Sequence, residues 1–178
     1  MPKPFKILKA PDKRLTTPVK PVTKFDAKLK KIAQRMIATL DVQTDPPGVG
    51  LAANQVGLDL AMFVVKKHKN DTPLVVINPQ ILAKGQLIDN LEDSASCSLE
   101  GCLSIPKIWS PVDRYDWVKI KFQDLDGRTI IKKFKALDSV IVQHEIDHLN
   151  GILFTKRVIE QNKNLYKEVG NKFVKIDL

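Results

Sequence analysis

Cysteine is scarce in this chain of 178 residues: Cys97 and Cys102 are the only two, five positions apart. A disulfide framework is thereby excluded, and in a reducing compartment so close a pair points to a working thiol rather than a bridge. Also lacking is any apolar run near the roughly 20 residues that a membrane helix needs. The opening MPKPFKILKAPDKR has no apolar core, no small-residue cleavage site and no serine. Neither export nor organelle import is expected of such a start, so the chain reads as cytoplasmic and without a membrane partner. No internal repeat, low-complexity tract or linker divides it, and its length suits one hydrophobic core better than two. One α+β domain across 1–178, monomeric, is the expectation.

What is present begins with charge. Lysine and arginine total 29 against 20 acidic residues, a net +9 that favours an anionic contact, with the ribosome a candidate, while the bland reading is a solvated basic surface. Prolines 2, 4, 11, 18 and 21 make residues 1–22 an extended arm packed on the body. From Thr23 and Asp26 a capping signal opens a helix, with Phe25, Leu29, Ile32, Met36 and Leu40 at helical spacing until Asp45, Pro46 and Pro47 stop it. GVGLAANQVG, residues 48–57, reads as a site loop. Branched runs at 61–65 and 74–77 predict strands, as does the alternation of Val118, Ile120 and Phe122 with polar residues. Asp126 and Gly127 predict a hairpin turn into Thr129 to Phe134. A last helix spans about Leu137 to Leu149, with Asn150 and Gly151 as its left-handed stop. The remainder, 156–178, reads as a weakly patterned basic tail.

The chemistry concentrates in that last helix. His144, Glu145 and His148 form H-E-x-x-H, and four residues of helix bring both imidazoles onto one face, which also carries Leu137 and Ile141 and should turn toward the core. Two incidental core histidines are the rival reading. A catalytic metal needs a third protein ligand and an open position. Cys102, in EGCLSIP, is the best candidate, against an inert buried cysteine as the alternative. Cys97 lies in the polar run DSASCS and is left out, because four protein ligands leave no room for water. Asp147 reads as a carboxylate that orients a ligand or caps a charge, and His68 as an exposed loop histidine.

Three stretches, GVGLAANQ at 48–55, EGCLS at 100–104 and QHEIDH at 143–148, together resemble the signature motifs of peptide deformylases, intact and in order. The resemblance runs from about Pro11 to Val158. It implies antiparallel sheets around a central helix that carries H-E-x-x-H. It also implies removal of the formyl group from the N-terminal formylmethionine of nascent peptides. The implied ligands are Cys102, His144 and His148 on one divalent metal, natively Fe2+, with Zn2+, Ni2+ or Co2+ able to replace it. Glu145 would act as general base and then acid toward a metal-bound water, with the Gln55 amide and the Leu103 backbone N–H stabilising the oxyanion. Gly50 would bind the substrate backbone, Gly48 would be a hinge, and Val49, Ile141 and Val140 would line the methionine slot.

Two departures from that family's pattern stand out. Trp109 occupies a place where an arginine is common, and residues 84–100, KGQLIDNLEDSASCSLE, form a longer and more polar stretch that could reshape the cleft rim. Two rivals remain at this point: a metallopeptidase using the same base and metal, and a metal-stabilised binding module without turnover.

Overall fold

A computed structural model describes residues 2–68, 70–90 and 98–176; Cys97 lies outside them. The first helix, α1 (Ala27–Asp41), starts where Asp26 caps it, the carboxylate accepting the Leu29 N–H at 2.9 Å. Its buried stripe is Leu29, Ala33, Met36 and Leu40, the spacing of one helical face. That stripe packs on Leu51, Val56, Met62, Val64 and Ile77.

Five antiparallel strands form the main sheet, in the order β1-β2-β3-β8-β9. They are β1 (Gly50–Ala52), β2 (Met62–Val65), β3 (Leu74–Lys84), β8 (Trp117–Gln123) and β9 (Thr129–Lys135). Strand β2 is apolar throughout because both of its faces are covered: Met62 and Val64 join the α1 cluster, while Phe63 joins a second cluster with Val76, Val118, Ile120, Phe122 and Val142. Truncating Phe63 to alanine should cost about 3–5 kcal/mol. Along β8 the predicted alternation holds, with Val118, Ile120 and Phe122 buried and Lys119 and Lys121 exposed. Gly127, at φ +78°, makes the expected turn into β9.

The second cluster includes Val142 and Leu149 of α2 (Ala136–Leu149), which lies against β1, β2, β8 and β9. Further strands are β4 (Leu87–Ile88), β5 (Leu99–Cys102), β6 (Ile105–Pro111) and β7 (Arg114–Tyr115). Strands β4 and β7 pair with each other, and Gln143 ties α2 to β7 by accepting the Tyr115 N–H at 3.0 Å and donating to its carbonyl at 2.9 Å. Antiparallel sheets around a central helix, the expected α+β architecture, are what the chain forms.

Two expectations for the ends need correction. The arm is extended but contains a 3-10 turn, Lys13–Thr16, capped by Asp12, and it buries Ile7, Leu15 and Val22. Gly151 ends α2 at φ +69°, and a Cβ there would lie 2.7 Å from the Thr16 backbone, so the stop also lets the arm pass. The 156–178 stretch is not an unpatterned tail. Helix α3 (Phe154–Glu160) buries Phe154 and Val158, and β10 (Leu165–Val169) with β11 (Lys172–Ile176) makes a hairpin that extends β5 and β6 into a four-stranded sheet, β11-β10-β6-β5. The signal was present as Gly170-Asn171 between two five-residue runs, but lysines in those runs obscured the alternation.

Candidate active site

Three elements meet at one cavity of about 640 Å³: the β1 loop, the end of β5 and the exposed flank of α2. Its wall includes Val49, Gly50, Gln55, Cys102, Leu103, Val140, Ile141, His144 and Glu145. His148, fully buried, stands directly behind, with its Nε2 3.2 Å from Cys102 Sγ and 3.1 Å from His144 Nε2. All eleven residues that the resemblance assigned, Gly48 included, are therefore at this place. Leu137 is the exception on the helix face: it is 61% exposed and lines the cavity mouth instead of reaching the core. The histidine face of α2 looks into a cleft, and a leucine one turn earlier overhangs its edge.

Each donor is held by its own surroundings. Burial pushes the Cys102 thiol up, but His148 and His144 beside it outweigh that and hold it well below the usual thiol range. The sulfur also receives the Ser104 N–H at 3.4 Å and the Gln55 Nε2–H at 3.6 Å. His144 Nδ1 lies 2.7 Å from Glu100 Oε1, which fixes the ring and leaves Nε2 facing the triad. Burial lowers His144, yet the Glu100 carboxylate prevails and raises it well above the ordinary histidine value.

Glu100 in turn is pushed up by burial and pulled down to about 2 by Arg114 and His144. Arg114, itself buried, spans Glu100 at 2.7 Å and Asp147 at 2.6 Å, and Asp147 also takes Arg157 at 2.7 Å. Asp147 thus caps charges, one of its two expected roles. Glu100 and Arg114 were not singled out from sequence. Glu100 stands two residues before Cys102 in a strand, a spacing that brings both side chains to one side and could have flagged it.

Glu145 is the contrasting carboxyl. Burial raises it to about 7, with the histidines opposing, and its Oε2 is a buried oxygen without a hydrogen-bond partner. A Cβ on Gly50 would sit 2.3 Å from Glu145 Oε1, so only glycine at 50 leaves the carboxyl its place. Gln55 is oriented by the Ala52 N–H, which its Oε1 accepts at 2.9 Å, leaving its NH2 to point at Ser104 and Cys102. The arm steadies both loops: the Leu8 N–H donates to the Gln55 carbonyl at 2.8 Å, and the Ala10 N–H to that of Ser104 at 3.0 Å.

The donor set itself tests whether a metal fits. One atom each of Cys102, His144 and His148 lies within 4.8 Å of the others, all three residues buried, and the shortest separations are between electron-pair donors. Thiolate and imidazole donors crowded in this way suit a borderline-soft divalent ion with room for a further ligand on the cavity side. A buried ionisable glutamate beside such a triad is the equipment of a hydrolase that works through a bound metal.

Comparison with known proteins narrows the class. The family model described as polypeptide deformylase matches residues 4–164. A peptide deformylase of Mesorhizobium japonicum is 40% identical over 177 residues, covering 98% of this chain and 92% of its own. That of Dictyoglomus thermophilum is 42% identical over 156 residues, covering 87% and 93%. Among solved structures, the peptide deformylase of Thermotoga maritima superimposes with a TM-score of 0.74 at 36% identity, over 86% of this chain and 97% of that one. The Legionella pneumophila enzyme gives 0.77 at 34%, over 86% and 85%. The chain belongs to the polypeptide deformylase family.

Proposed function

We propose that the chain removes the N-formyl group from the N-terminal formylmethionine of newly made polypeptides, releasing formate and a free α-amine. Cys102, His144 and His148 hold one divalent metal. When bound, it supplies Lewis acidity toward the formyl oxygen and the attacking water. Glu145 accepts the proton of that water and returns it to the leaving amine. Among the described residues its buried Oε2 has no hydrogen-bond partner, which leaves that oxygen available for both duties. The Gln55 amide and the Leu103 N–H donate to the oxyanion as it develops. A metallopeptidase reading would leave the cysteine ligand and the Gln55 amide without a purpose, and a binding module would need neither Glu145 nor Gln55.

Among the described residues strand β1 pairs only with β2, which leaves its other edge to an extended peptide, starting at Gly50. Val49 and Ile141, with Val140, offer the apolar slot for methionine. The family resemblance favours ferrous iron, and thiolate and imidazole donors would accept it as they would zinc, nickel or cobalt. The chain acts as one catalytic unit, a monomer in the cytoplasm. Among the described residues no helix is long and apolar enough to cross a membrane. Exposed lysines at 167, 172 and 175, with the +9 balance, would support contact with ribosomal RNA. Binding there must weaken as salt rises.

The observation that carries the reading is the convergence of the three donors and Glu145 on a cavity bordered by a free strand edge. Formate release from a formylmethionyl peptide by anaerobically prepared, iron-loaded protein tests it. No release from folded, metal-loaded protein would refute it.

A further inference from the structure

The family match ends at residue 164, and the hairpin β10–β11 begins at the next residue. That hairpin is joined to the cleft by a row of side chains on one face of the four-stranded sheet. Gly101 pairs with Trp109, Trp109 with Tyr166, and Glu168 with Phe173 in the strand register. The indole lies so close over Gly101 that a Cβ there would be 2.7 Å from its six-membered ring. Its Nε1–H donates to Glu168 Oε2 at 2.9 Å, and Phe173 meets the ring edge to face at 5.8 Å between centroids. Trp109 is thus seated from three sides, while it also lines the catalytic cavity, as does Gly50 of β1.

We propose that Trp109 is the wall against which the side chains following formylmethionine pack, and that the C-terminal hairpin sets this wall through Glu168 and Phe173. The inference rests on the deformylase reading of the site. A peptide held along β1 satisfies one row of its backbone groups there and turns successive side chains to alternate faces of the sheet, so that those on the cleft side meet the opposing wall. The indole has one polar donor, and Glu168 already accepts it. Toward the cleft it presents only ring face and carbon edge, a surface complementary to aliphatic and aromatic side chains. Trp109 is then a specificity-determining residue, and Glu168 and Phe173 are positioning residues that act through it.

The test compares formylated methionyl-leucyl-phenylalanine with formylated methionyl-alanyl-serine, for the parent, Glu168→Gln and Phe173→Ala. The parent should favour the apolar peptide. In Phe173→Ala the KM for that peptide should rise about 3- to 10-fold, the worth of an aromatic contact, with kcat retained and the preference correspondingly reduced. Glu168→Gln preserves shape and should move KM in the same direction by less. With Trp117→Phe as background, Trp109 is the only indole, and its emission should shift on adding the unformylated methionyl-leucyl-phenylalanine product. Equal losses on both peptides, a fall in kcat alone, or an emission that ignores the product would overturn the proposal. Should the parent release no formate from either peptide, the deformylase reading fails, and the emission response still decides whether Trp109 faces bound peptide. Should Phe173→Ala unfold, Glu168→Gln and Trp109→Leu carry the same comparison.

Discussion

At its metal end the cleft is built from buried charges that fix one another: His144 on Glu100, Glu100 on Arg114, Arg114 on Asp147, and Asp147 on Arg157. At its rim Trp109 rests on one hydrogen bond and one ring contact, both from a hairpin in which Phe173 is 50% exposed. Charges out of water demand partners with good geometry, so the inner end tolerates little change. Contacts at the rim are few and partly solvated, so each can vary at small cost to stability. On the proposed reading, chemistry and selectivity would be carried by regions that differ in how much change they tolerate.

The largest effect should come from the inner end. Glu145→Gln should lower kcat about 10²- to 10⁴-fold while metal content, measured by elemental analysis, stays at the parent level. Arg114→Met leaves Glu100 with only His144 and Asp147 with only Arg157 to offset its buried charge, and urea unfolding should show a loss of up to about 3–5 kcal/mol. Gln55→Ala removes one oxyanion donor and should reduce kcat about 10²-fold in a formate-release assay, with the circular dichroism spectrum retained. By contrast, Phe173→Ala should shift the urea midpoint by no more than about 1–2 kcal/mol, as expected for a half-exposed aromatic contact. The smallest change in the fold should follow chelation. Because the helices and sheets have their own apolar clusters, the metal-free chain should keep its far-UV spectrum and lose formate release. A collapse of the fold on chelation, or a rim variant as damaging as Arg114→Met, would erase the distinction between the two ends.

The metal end was also the more legible one. H-E-x-x-H needs only helical periodicity to be read, since both ligands are four residues apart on a single element. Cys102 was reachable from its constrained setting and Glu100 from its place two residues earlier in the same strand, whereas Arg114 acts through contacts between β5, β7 and α2 that no local pattern encodes. Leu137 illustrates the same boundary: periodicity set its face, but that face opens into a cleft, so the residue is exposed. Of the 84–100 stretch, Ile88, Asp89, Asn90, Ser98 and Leu99 line the cavity, in keeping with the expected influence on the rim. Residues 91–97 lie outside the described part. His68 is exposed, as its neighbours suggested. The hairpin was illegible for an energetic reason: it buries little beyond Leu165, so its sequence carries weak alternation and many lysines.

The free edge of β1 is only three residues long. An open edge of that length offers too few main-chain groups to recruit another sheet, which guards the protein against strand-by-strand aggregation. On the proposed reading, the same brevity would make it a reader of backbone rather than of sequence, since an extended chain end would meet few main-chain groups there and leave again readily.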